Sequence, residues 1–347
     1  KALRDVLRPD VEAVIPLHAQ LDSVHERIDT LTEDQLFWVD VVEANPRVLC
    51  SGGAGTGKTF LAMELARRWT SKGLNVALVC KSPWLKNFLQ SQFSMPGLTV
   101  STVEGLAVAK RRQGLKSFDA IIIDEGQDLL NIDNVDKIDQ NLKNGLPNGQ
   151  WCFFHDINNQ SCLFGDVDKE ALDYLKAQNP VLVPLKTNCR NTRIILEKVQ
   201  ASLAADMGIR GAGEGPNVHE VHAITKERAV SELTKAIDDV IKVGGLSPGQ
   251  LTLLSPFDFN ESLVVQLSDK YKQNIHVLDE YSFRNFPGNN ISFSTIANFK
   301  GLENEAIILV DLIDPDKYEG KLVNHYVGMS RAKSYLSIIW SEYGFEE

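Results

Sequence analysis

The sequence has 347 residues, of which 43% are hydrophobic and 24% charged, and its formal net charge is −10. That composition excludes a disordered or collagen-like chain and leaves room for two globular domains. No apolar run approaches the roughly 20 residues of a membrane-spanning helix, and the acidic balance argues against coating nucleic acid by phosphate neutralisation alone.

The first residues, Lys1 to Val14, are charged and lack the apolar core of a secretory leader. A start at Lys1 rather than Met fits a piece of a longer chain, and residues 1–30 read as a helical lead-in. Short apolar runs then alternate with helical patterns. Residues 47–51, 75–80, 98–102, 120–124 and 151–155 read as buried strands, and the helical stretch from Phe60 is closed by Gly73. Continuous apolar strands between helices indicate a parallel sheet covered on both faces. The pattern restarts after Asn188, with strand candidates at 218–221, 251–255, 291–296, 306–312 and 335–340; the Gly-rich stretch 208–217 is a loop. Two α/β domains, 31–186 and 187–347, are the simplest account. Cys50, Cys80 and Cys152 fall inside apolar runs, and with Cys162 and Cys189 they form no CxxC pair. Reduced, packed thiols and a cytoplasmic home fit better than disulfides or zinc.

The strongest local signal is Gly52-Gly53-Ala54-Gly55-Thr56-Gly57-Lys58-Thr59, directly after one strand and directly before a helix. This is a GxxxxGK[ST] phosphate loop in its required context. Glycines let backbone N–H groups curl around phosphates, and the helix N-terminus adds its positive dipole end. Lys58 is expected to reach the β- and γ-phosphates of ATP, and the Thr59 hydroxyl to bind Mg²⁺. The second signal is the apolar run Ile121-Ile122-Ile123 ending in Asp124-Glu125-Gly126-Gln127-Asp128. An acidic pair at a strand end is how P-loop NTPases hold Mg²⁺ and align the attacking water, which makes Asp124 the metal partner and Glu125 the general base.

DEGQD resembles the DExQD box of UvrD/Rep-like superfamily 1 helicases, and further motifs of that family follow in order. Leu31 to Gln35 resembles its Q motif, whose glutamine, here Gln35, contacts adenine. Asp156 to Gln160 resembles the segment that couples the γ-phosphate to the bound strand. Leu185 to Arg193 (LKTNCRNTR) resembles the segment whose arginine, matched by Arg190, contacts the γ-phosphate. Ser294 to Glu303 (STIANFKGLE) is similar to the family's TIHxxKGLE segment, which brings Glu303 to the nucleotide. Tyr326 to Lys333 (YVGMSRAK) resembles the segment that carries the arginine finger, here Arg331. With the phosphate loop and DEGQD these make seven ordered motifs. The resemblance implies a P-loop NTPase of two RecA-like parallel-sheet domains, with ATP and Mg²⁺ in the cleft between them. Arginines on the second domain would make hydrolysis depend on closure, since guanidinium groups meet the charge that develops on the γ-phosphoryl oxygens.

Departures from the pattern limit what carries over. Cys189 stands where the family has a tyrosine stacked on adenine. His155 replaces a glycine, and one extra residue separates Asp156 from Gln160, so either Gln160 or Asn159 fills the glutamine's role; Gln160 is favoured. Asn298 falls roughly where the family has the histidine of TIH. The segments that hold accessory domains in larger relatives are short here, leaving a minimal core. A motor gripping a few nucleotides needs only hydroxyl and basic contacts to phosphates with stacking under bases. Ser82, Thr102, Thr295 and Lys300 are the expected track contacts; Trp84, Phe164 and Phe299 are weaker aromatic candidates. The expected partner is single-stranded DNA, with RNA as the alternative and no membrane. The compact core also resembles the helicase half of nuclease-related-domain (NERD) proteins, which implies an upstream or partner nuclease and a role in defence against phage. A nucleotide-gated switch that regulates such a nuclease without processive movement is the rival of a different class.

Overall fold

The computed structural model describes residues 37–156, 168–209, 211–318, 320 and 322–343. Its strands form two six-stranded sheets in which the paired strands run parallel. The first is ordered β3-β2-β4-β5-β1-β6, from β1 (Arg47–Gly52), β2 (Val76–Cys80), β3 (Leu98–Thr102), β4 (Ala120–Ile123), β5 (Gln150–His155) and β6 (Val181–Leu185). The second is ordered β7-β12-β11-β8-β10-β9, from β7 (His219–Ala223), β8 (Leu251–Ser255), β9 (Ile275–Val277), β10 (Ile291–Thr295), β11 (Asn304–Leu312) and β12 (Ala332–Ser341).

Period-2 alternation explains why the first-domain strands are apolar throughout. Val48, Cys50, Val76, Leu78, Cys80, Ile122 and Phe154 face one layer, built on helices α1 (Lys58–Ser71) and α2 (Pro83–Gln92). Their neighbours Leu49, Ala77, Val79, Ile121, Ile123 and Phe153 face the other, built on α3 (Leu106–Arg112), α4 (Ile132–Asn141) and α5 (Lys169–Ala177). Helix α1 shows its side of the bargain: Leu61, Ala62, Leu65, Ala66 and Trp69 form one buried stripe at helical spacing. Gly73, at φ +82, ends it in the left-handed conformation that glycine adopts without strain.

The chain leaves the first sheet at Leu185, and α6 (Arg193–Leu203) already packs into the second domain's core with α8 (Val323–Ser330) and β12. Helix α7 (Lys226–Asp238) covers the opposite face of the second sheet. Two strands escaped the sequence reading. β6 is an edge strand interrupted by Pro184, which its edge position tolerates; β9 spans only 3 residues. Cys50, Cys80 and Cys152 are free thiols, and all three are buried, as is Cys189. Among the described residues, no helix is long and apolar enough to cross a membrane. The lead-in 1–30, Gln35, Asn159, Gln160, Cys162 and Phe164 lie outside the described residues.

Candidate active site

Because the strands are parallel, the carboxyl ends of β1, β4 and β5 share one edge of the first sheet, the edge where open α/β sheets bind ligands. The phosphate loop leaves β1 there. Gly55 and Gly57 take φ +79 and +84, a region that strains other residues. A Cβ at Gly53 would sit 2.3 Å from the Asp206 carbonyl, so only glycine lets the segment after α6 approach the loop. Lys58 Nζ donates to the carbonyls of Gly52 (2.9 Å) and Gly53 (2.8 Å) and lies 3.6 Å from Asp156 Oδ2. Its ammonium is thus already held over the loop that it is expected to serve.

β4 delivers the acidic pair. Thr59 Oγ1 donates to Asp124 Oδ2 at 2.9 Å, so a hydroxyl and a carboxylate from separate elements converge at one point. Burial and the neighbouring Glu125 push the Asp124 carboxyl up to about 6. A divalent cation would relieve that strain, and hard oxygen donors suit Mg²⁺, so the residues present fit the ion. Glu125 sits at φ +51, a left-handed conformation uncommon outside glycine and of the kind found at functional sites. Burial alone would raise its carboxyl, but Lys300, Lys58 and Arg331 hold it below the ordinary value. Gln127 donates to Glu125 and accepts from the Asp156 N–H at 2.9 Å, joining the ends of β4 and β5.

The second domain closes the site from the far side. Arg190 and Arg331 line one small cavity together with Ala54, Gly55, Gly57, Lys58, Thr59 and Glu125. Arg331 is buried, its Nε donating to the Val327 carbonyl at 3.0 Å and its Nη2 to Ser330 Oγ at 2.9 Å. Arg190 pairs with Glu303, whose other oxygen lies 3.0 Å from Lys333 Nζ. Burial would raise the Glu303 carboxyl, but Arg190 and Lys333 hold it at about 2. A cleft of about 510 Å³ adjoins this cavity and shares Gly55, Gly57, Thr59 and Arg190 with it; Glu303 also lines the cleft, and Phe60, Met63, Phe88, Phe286 and Pro287 form its apolar walls. Cys189 also lines the cleft, with its thiol donating to the Gly55 carbonyl at 3.3 Å.

The expected track contacts divide. Ser82, Thr102 and Thr295 stand at or just beyond the carboxyl ends of β2, β3 and β10, partly exposed. Each hydroxyl accepts from a backbone N–H that follows it: Leu85 (3.3 Å), Gly105 (3.2 Å) and Asn298 (3.2 Å) respectively. Lys300 is placed differently from the expectation. Its ammonium is buried and bonds both oxygens of Asp128, at 2.6 and 2.7 Å, so it bridges the two domains instead of facing a strand. Phe299 is buried in the second domain's core, and Trp84 packs edge-on against Phe283.

Burial pushes the Asp128 carboxyl up to about 7 against the pull of Lys300. Lys300→Met keeps the stem and removes the charge, so Asp128 can no longer ionise at ordinary cost. A carboxyl raised above its unfolded value loses stability as pH rises, and the parent is spared part of that loss only above its own folded value. The stability gap between variant and parent is therefore expected to widen between about pH 6 and about pH 8.5, most of it above about pH 7, by up to about 2 kcal/mol. Urea unfolding at both values measures it; an equal gap at both would show that the pair carries no charge.

The sequence reading missed the cleft walls, the bridging role of Gln127 and the buried Asn188, whose Nδ2 donates to the Ala54 carbonyl at 3.0 Å. The clue was present in the two asparagines of NCRN, whose short amides readily bond backbone groups in turns.

The family model of the AAA domain matches residues 30–140, the stretch that contains the phosphate loop and the acidic box. No curated protein matches the sequence. Among solved structures, the DEAD-box helicase Mss116 bound to ssRNA and UDP-BeF is similar, with a TM-score of 0.56 and 11% identity over 94% of this chain and 75% of that one. The PRRSV helicase gives a TM-score of 0.47 at 12% identity, covering 88% of this chain and 55% of that one. Arterivirus nonstructural protein 10 (helicase) in complex with DNA gives 0.43 at 12% identity, covering 86% and 62%. The likeness to the first establishes the fold: two RecA-like domains of the P-loop NTPase class.

Proposed function

We propose that the protein is an ATP-hydrolysing motor of the UvrD-like kind that works on single-stranded nucleic acid, DNA in the first instance. The observation that carries this reading is the shared cavity: phosphate loop and Glu125 from one domain, Arg190 and Arg331 from the other. Lys58 and the loop amides bind the triphosphate, and the apolar cleft beside Glu303 takes the base and sugar. Thr59 and Asp124 would hold Mg²⁺, which would supply charge neutralisation at the phosphates. Glu125 takes the proton of the attacking water, while Arg331 and Arg190 meet the charge developing on the γ-phosphoryl oxygens. Arg190 must exchange Glu303 for phosphate, so nucleotide entry and the position of the second domain are linked. Opening and closing this cleft would move Ser82 and Thr102 relative to Thr295 along a strand. By resemblance alone, the reading extends to service of an upstream or partner nuclease in the cytoplasm.

Arg331→Ala is expected to slow single-turnover hydrolysis about a thousandfold while changing ATP affinity only a few-fold, because a finger acts chiefly in the transition state. An unchanged single-turnover rate would leave Arg331 a structural residue. The function itself is tested by steady-state ATP hydrolysis with single-stranded DNA, with RNA, and with neither. Stimulation by DNA supports the reading as stated. Stimulation by RNA alone redirects it to an RNA motor, and hydrolysis indifferent to both points to a nucleotide-gated switch.

A further inference from the structure

Tyr326 belongs to α8 of the second domain, yet its hydroxyl is inserted into the first. It accepts from the Ala54 N–H of the phosphate loop at 3.0 Å and donates to Asp156 Oδ2 at 3.2 Å. Asp156 in turn lies 3.6 Å from Lys58 Nζ. The carbonyl of the same Ala54 is held from the other side by Asn188 Nδ2 at 3.0 Å, and that amide also donates to Asn191 Oδ1 at 3.1 Å. Asn191 Nδ2 then donates to the carbonyls of Ser330 (3.1 Å) and Ala332 (2.6 Å), the two residues that flank Arg331.

Two routes therefore join one peptide of the phosphate loop to the backbone of Arg331. One runs through the Tyr326 hydroxyl and down α8, whose C-terminus carries Arg331 with its Nε on the Val327 carbonyl. The other runs through Asn188 and Asn191. Helix and hydrogen bonds are stiff on the scale that matters here, since a misplacement of about 1 Å in a reacting group can cost about a hundredfold in rate. An arginine carried by a separate domain has no covalent means of keeping register with the phosphates. A hydroxyl keyed into the loop supplies that register, and it does so through an amide that Tyr326, not phosphate, occupies.

We infer that Tyr326 is a positioning residue: its hydroxyl docks the second domain on the Ala54 peptide and so sets Arg331 over the γ-phosphate. This rests on the proposed function, since it presumes that Arg331 acts in hydrolysis. The side chain carrying the key is 5% exposed and its ring packs in the second domain's core, so Tyr326→Phe removes the oxygen and leaves the packing.

The test is a double-mutant cycle on the full chain, with single-turnover ATP hydrolysis and binding of a fluorescent ADP as readouts. Tyr326→Phe alone is expected to lower the hydrolysis rate about tenfold with ADP affinity within about threefold. In the Arg331→Ala background the same substitution should change the rate less than about twofold, because the group it positions is already gone. Trapping of ADP with aluminium fluoride gives a second readout, weakened in Tyr326→Phe while ADP alone still binds. Equal losses in both backgrounds would mean that Tyr326 only supports the fold, and a parental rate in Tyr326→Phe would remove the inference outright. A parental chain that hydrolyses nothing counts instead against the proposed function; aluminium-fluoride trapping then still decides on Tyr326.

Discussion

Lys58→Ala is expected to reduce ATP turnover to background, a loss of at least about a thousandfold, or about 4 kcal/mol of transition-state stabilisation. The ammonium is the one cation placed within the loop itself, held at 2.9 and 2.8 Å by the Gly52 and Gly53 carbonyls. Without it, triphosphate charge is met only by backbone dipoles and by arginines on a domain that must first close. The 3.6 Å approach to Asp156 adds a second consequence. Removing Lys58 takes away a cation 3.6 Å from that carboxylate, so nucleotide affinity should fall along with the rate. Lys58→Arg is not expected to rescue, because a planar fork cannot replace a compact ammonium in a buried site. Turnover at the parental rate by purified, folded Lys58→Ala would remove the phosphate loop from the mechanism.

Glu125→Gln is expected to separate binding from chemistry. The amide keeps the shape of the side chain and can still bond Gln127 after rotation, so the Gln127 bridge to Asp156 stays in place. It cannot take a proton from water. Loss of a general base of this kind costs about a hundredfold to ten-thousandfold. Rapid-quench single turnovers beside fluorescent-nucleotide titration would resolve the two effects. Retained hydrolysis per bound nucleotide, with binding lost, would instead assign Glu125 to the metal.

The phosphate loop and acidic box were legible because each is written in consecutive residues with strict local geometry. Gly55 and Gly57 need positive φ, Lys58 and Thr59 start a helix, and Ile121 to Ile123 bury a strand that can end only at Asp124. Ten of the twelve strands among the described residues were legible, most of them for a related reason: a strand buried on both faces is a continuous apolar run, though edge strand β7 is not one. Edge strand β6 was not, since three of its five residues are exposed and Pro184 interrupts it.

What depends on long-range pairing was hidden. Nothing near Lys300 in sequence announces Asp128, 172 residues away, as its partner. A lysine five residues after Thr295 reads as a strand contact until the partner domain is present. The hydroxyls of Ser82, Thr102 and Thr295 stand at or just beyond the carboxyl ends of their strands, and their use as caps follows from local turns that the motif does not encode. The Tyr326 key is a further case: the sequence offers a tyrosine in a motif, and only the fold brings its oxygen to Ala54.

A motor must grip its track differently in different nucleotide states, and this can be measured without assuming processive movement. The decisive quantity is the affinity of the chain for a fluorescent single-stranded DNA oligonucleotide, taken without nucleotide, with ADP and with a non-hydrolysable ATP analogue. If the two domains grip alternately as the cleft closes, the affinity should change at least about tenfold between states, and the oligonucleotide should shift nucleotide affinity by the same factor. Equal strand affinity in all three states would contradict the coupling of this cleft to a nucleic-acid track.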